Sequence, residues 1–159
     1  VEAWLTHLGL VPLARAERDG IVSWDLVLDG RRRPHIPLTL IYDPQLVLVL
    51  LVHFAPPLQD GHRRIYRQLL RWNDEYPFVK FALAEDERPL LVAEVAPEAL
   101  TSFSLGLAIA RLVAVADRLW EAGDWLWGRG PRPAPPPPSG PGVELVRRFA
   151  TELGELVEG

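Results

Sequence analysis

Seven consecutive residues, Leu46–Val52, carry no polar side chain. In a strand, alternate side chains point to opposite faces, so this run offers apolar surface on both sides. It therefore belongs in the centre of a sheet, or in a strand covered at an interface. It is far shorter than the roughly 20 apolar residues a membrane helix needs. Asp43-Pro44 and Pro56-Pro57 turn the chain on either side of it. Other segments must supply its cover.

The flanking sequence supplies candidates. Val1, Trp4, Leu5 and Leu8 recur at helical spacing, and Gly9 ends that helix. An extended stretch, Leu10–Arg18, leads to a turn at Asp19-Gly20. Val22, Trp24, Leu26 and Leu28 then alternate with Ser23, Asp25, Val27 and Asp29, a half-buried strand closed by Asp29-Gly30. Ile36, Leu38, Leu40 and Tyr42 mark a further strand before the apolar run. After it, Asp60 is placed to cap a helix reaching about Glu75, with Ile65, Leu69, Trp72 and Tyr76 on one face. Pro77 ends it. Phe78–Leu83 and Pro89–Val95 form a hairpin around the acidic loop Glu85-Asp86-Glu87-Arg88. A long helix follows from about Ser102 to Leu126, with Leu105, Ile109, Leu112, Ala116, Leu119 and Trp120 as its stripe.

Composition then changes abruptly. Residues 128–142 contain seven prolines and read as an extended spacer. Residues 143–159 form an amphipathic helix with Val146, Phe149, Leu153 and Leu156 on its apolar face. An isolated helix of about 15 residues is marginal in water, so this one is expected to dock on a folded surface. The order is helix, three strands or four, helix, two strands, helix. Strands adjacent in sequence favour an antiparallel sheet, so the fold class is α+β in the order α-β-β-β-α-β-β-α, with a proline-tethered C-terminal helix.

Composition also removes whole classes of function. There is no cysteine, which excludes disulfides, thiolate metal sites and cysteine nucleophiles. A net charge of −4 argues against a surface built for nucleic acid. Lys80 and Asn73 are the only residues of their types, methionine is absent, and prolines are many, a thermophile-like composition that a GC-rich genome also produces. Nothing reads as a signal peptide or membrane span, so a cytoplasmic protein with no membrane partner is expected.

Few residues suggest chemistry. His7, His35, His53 and His62 stand apart, without the close spacing of metal ligands. There is no G-x-S-x-G, no P-loop and no G-x-G-x-x-G, so no catalytic residue, metal or cofactor is assigned. Lys80 alternates with Val79 and Phe81 and reads as a solvent-facing or edge-guarding residue. Asn73 reads as a ligand of helix-end carbonyls. Arg63, Arg67 and Arg71 form a basic patch four residues apart, and Arg31-Arg32-Arg33 is a second basic cluster. Residues 60–77 nevertheless sum to only +1, which reads as a solvated helix face. Trp125 and Trp127 lie beyond the helical stripe and, with Val146, Phe149, Leu153 and Leu156, make the candidate interaction surface.

The segments Leu69-Leu70-Arg71-Trp72-Asn73 and Phe78-Val79-Lys80-Phe81, the acidic loop, Leu90–Val95 and a long helix containing Ala116-Asp117 resemble the YbjN family. The resemblance covers residues 1–127 and leaves the spacer 128–142 and the helix 143–159 outside it. It implies a fold similar to type III secretion chaperones and a small, often dimeric bacterial protein, sometimes labelled sensory or regulatory. It implies no known reaction. Sequence and resemblance together point to a non-enzymatic homodimer that binds an unidentified protein or peptide. The alternative is a small-molecule sensor or enzyme with a site built from dispersed His and Arg residues.

Overall fold

The computed structural model describes residues 1–121, 126, 133–137 and 139–157. Helix α1 (Glu2–His7) leads into four strands, β1 (Ala14–Arg18), β2 (Ile21–Leu28), β3 (Ile36–Asp43) and β4 (Val47–His53). Helix α2 (His62–Glu75), β5 (Lys80–Leu83), β6 (Pro89–Val95) and α3 (Ser102–Arg118) follow. Two short helices, α4 (Pro141–Arg148) and α5 (Ala150–Leu153), and a 3-10 turn over Gly154–Leu156 complete the described chain. The six strands form one antiparallel sheet in the order β1-β2-β3-β4-β6-β5. The α+β class, the layer of helices and the C-terminal helix are as the sequence predicts. The extended stretch before Asp19-Gly20 supplies the fourth strand before α2.

The apolar run takes the place its composition demands. β4 pairs with β3 on one side and β6 on the other. Leu48, Leu50 and Val52 are buried, in one cluster with Leu26, Leu28, Leu38, Leu40 and Leu91 from neighbouring strands. Each such side chain contributes about 1.5–3 kcal/mol by leaving water. α3 lies across β4 and β6. It is buried on several sides, including Leu105, Ile109, Leu112, Val113, Val115 and Ala116, because the sheet covers one side and the C-terminal helices another. Thr101 and Ser104 cap its start reciprocally.

Several local expectations are corrected. Asp60 does not cap α2: the N-cap is Gly61, at φ +65°. The four predicted contacts of that helix are nonetheless buried, and Phe54, Trp72 and Phe81 pack ring against ring beneath it. β5 begins at Lys80, because Phe78 adopts φ +68° and turns outward beneath the guanidinium of Arg111, 4.0 Å from its ring centre. Asn73 does not serve helix-end carbonyls. Its amide donates to Phe81 O at 3.2 Å and accepts from Phe81 N at 2.5 Å, clamping α2 to edge strand β5. Lys80 is exposed on that edge, and its ammonium donates to Asn73 O at 2.9 Å.

α3 ends at Arg118, with Leu119 as C-cap, short of the predicted Leu126. The carboxylate of Asp117 lies in its last turn, where the helix dipole disfavours a negative charge. Two backbone N–H groups from the β2–β3 loop compensate, donating from Arg32 at 2.7 Å and Arg33 at 2.8 Å. The loop can approach because residue 30 is glycine: a Cβ there would lie 2.2 Å from Asp117 Oδ1.

The spacer falls partly outside the described residues. The last segment does dock, on α3 of its own chain. It begins at Pro141, two residues before the predicted start, with proline in its favoured first turn. It is interrupted at Phe149 (φ −102°, ψ 20°) rather than continuous. Phe149 is buried against α3, where a Cβ on Gly106 would come within 2.7 Å of its ring and 3.0 Å of Leu8.

Candidate functional site

Covering one side of the sheet leaves the other to be accounted for. Residues alternating with the core positions of β3, β4 and β6 point away from the helices. Pro37, Ile41, Val49, Leu51, Leu90 and Val92 make an apolar centre there, each partly exposed. The register lines them up: Asp25, Thr39, Leu51 and Val92 form one cross-strand row, and Ser23, Ile41, Val49 and Glu94 the next. Asp25 and Glu94 are exposed and set a polar rim at β2 and β6. Among the described residues, no helix packs on this face. An apolar centre inside a polar rim is the anatomy of a protein interface.

The other surfaces predicted from sequence separate. Arg63, Arg67 and Arg71 lie on the exposed side of α2, opposite Ile65, Leu69 and Trp72. They run as a ridge with exposed Leu70 beside it. Val146 and Leu156 are partly buried and Phe149 and Leu153 buried, all against the core that α3 completes. Trp125 and Trp127 lie outside the described residues.

The histidines divide into two groups. His7 and His62 remain isolated from the others. His35 and His53 come to one end of the sheet beside Arg33 and Arg88. Arg33 is the residue the sequence hides best. It reads as the last member of an exposed basic run, yet it is only 5 % exposed. Its guanidinium lies over the rings of Phe54 (5.4 Å) and Trp120 (5.2 Å) and donates to His53 O at 3.3 Å. Burial lowers its pKa to about 10, against the opposing attraction of Asp117, so it stays charged at neutral pH. Burial, then the charge of Arg88, holds the His53 imidazole below its ordinary value, with Asp25 and Asp86 pulling the other way. Proline after Arg33 is the only local hint that the run turns inward.

Among the described residues no group of His, Cys, Asp and Glu is placed to hold a metal, and no helix is long and apolar enough to cross a membrane. What the fold and its surfaces define is a small α+β protein built on one half-covered sheet. A family model, YbjN, described as "Putative bacterial sensory transduction regulator", matches residues 1–122. The chain belongs to that family. No curated protein matches it.

Proposed function

We propose that this chain is a non-enzymatic regulatory module, chaperone-like in shape and cytoplasmic, that acts by binding protein and works as a homodimer. The uncovered face of the sheet carries the reading. A second copy is the occupant this face suits best. Two-fold symmetric dimers are the commonest assemblies, and the face offers each copy the same apolar centre and acidic rim. Membership of a family of regulators supports a role without turnover. The arginine ridge of α2 is left free in such a dimer and suits an acidic segment of the regulated protein or peptide. Nucleic acid is a poorer match, since the net charge is −4.

Light scattering on the purified chain tests the dimer. A mass near twice 17.9 kDa is expected, falling to the single-chain value for Leu51→Glu. A parent protein of single-chain mass at every accessible concentration would remove the central support of the proposal.

A further inference from the structure

The end of the sheet where Arg33, His35, His53 and Arg88 converge is an open cleft of about 420 Å³. That is within the range of small-molecule sites, roughly 300–1,000 Å³. Its lining is unusual in two respects. Among the described residues that line it, every ionisable side chain is basic: two arginines, two histidines and no carboxylate. The remainder is apolar and ring-rich, with Trp120 and the prolines at 34, 37, 56 and 57.

The basic residues are held by the fold. Arg33 is fixed by its own backbone N–H on Asp117 and by the two rings its guanidinium crosses. His35 is kept in the left-handed region, at φ +51°, with its N–H donating to Asp29 Oδ1 at 2.8 Å. A non-glycine residue held there by its surroundings is strained, and such strain clusters at functional sites. The His53 ring sits between two partners, Thr39 Oγ1 at 3.3 Å from Nε2 and Arg88 Nη1 at 3.4 Å from Nδ1. Asp86 pairs with Arg88 from outside the lining, at 3.0 Å, and Asp29 faces His35 at 4.0 Å.

We propose that this cleft binds a small organic anion, with its phosphate or carboxylate on Arg33, Arg88 and His53 and a flat apolar body against Trp120 and the prolines. Arginine is the side chain best shaped for such head groups, because its planar fork donates two parallel bonds. Among the described lining residues the charge is basic, and the nearby carboxylates Asp86 and Asp29 stand behind Arg88 and His35. Protonation of His53 adds a third positive charge, so binding tightens as pH falls through the range where that imidazole titrates. Burial sets this range first, then the charges of Arg88, Asp25 and Asp86. Leu51 is not in the lining, and Pro37 is shared between the cleft and the apolar centre of the outer face.

The test is an NMR titration of the full chain with phenyl phosphate, following the imidazole signals of all four histidines. Saturable shifts of His35 and His53, with His7 and His62 unmoved, are expected. Arg88→Gln, at a partly exposed position, should weaken binding about tenfold, the loss typical of one charge-assisted contact. Arg67→Gln on the ridge of α2 should leave it unchanged. Benzoate in place of phenyl phosphate shows which head group the site prefers. Non-saturating shifts, equal movement of all four histidines, or undiminished binding by Arg88→Gln would overturn the proposal. Inorganic phosphate binding as tightly as phenyl phosphate would overturn the part assigned to the apolar body.

Discussion

Leu50 and Leu51 are neighbours in sequence, alike in composition and opposite in surroundings. Leu50 is fully buried beneath the helices, in a row with Leu40 and Ala93. Leu51 stands in the cross-strand row of Thr39 and Val92, on the face that no described helix covers. One face is closed by covalently linked elements, and the other is left open by the described residues. The pair teaches that an all-apolar strand reports that both faces want cover, while only topology tells which cover is built in.

The contrast is open to direct attack. Leu50→Ala should destabilise the fold by about 2–5 kcal/mol, as cavity-forming substitutions in cores do. Leu51→Ala should cost less than about 1.5 kcal/mol under conditions that keep the chain monomeric, since part of its area already lies in water. Urea unfolding of both variants measures the gap, and equal losses would mean that the outer face is as closed as the inner.

Phe149→Asp acts on one segment rather than on the whole fold. It places an unpaired carboxylate against α3 and removes a buried ring, a truncation that alone costs about 3–5 kcal/mol locally. Amide exchange should accelerate across residues 141–157 while β3 and β4 keep their protection. Uniform acceleration through the whole sheet would show the C-terminal helices to be inseparable from the core rather than docked upon it.

The smallest effect expected is a pH dependence. Because burial and Arg88 keep His53 below its ordinary pKa of 6.5, the unfolded chain takes up a proton that the folded one refuses. Stability should fall as pH drops below about 6.5 and level off once the folded imidazole protonates too. His53→Gln should flatten that slope in denaturant midpoints taken between about pH 5 and 7. An unchanged slope would assign the dependence to other groups.

These comparisons also mark what the sequence discloses. Periods of 2 and near 3.6 locate β2, β3 and α2, and the unbroken apolar run locates β4, because a single core sets the burial of each. The apolar stripe of the last helix is equally legible, and Phe149 and Leu153 lie in it. What escapes depends on contacts between distant segments. The burial of Arg33 requires Phe54 and Trp120, and its anchoring requires Asp117, 84 positions away. Asn73 carries no local sign that it clamps β5. The early end of α3 escapes for a related reason: apolar residues continue past Arg118, so periodicity alone gives no stop signal.

Gly106 gives the molecule a timetable. The space its missing Cβ leaves is shared by Leu8 from α1 and the ring of Phe149. The first of these emerges from the ribosome early and the second late. At roughly 5–20 residues per second, the roughly 30 residues between the end of α3 and Phe149 take on the order of a few seconds. For that time the middle of α3 carries one of its two neighbours and an open apolar notch beside it. Cotranslational folding therefore reaches the sheet and α3 well before it can finish their packing, and the nascent chain passes through a state whose exposed surface the mature protein never shows.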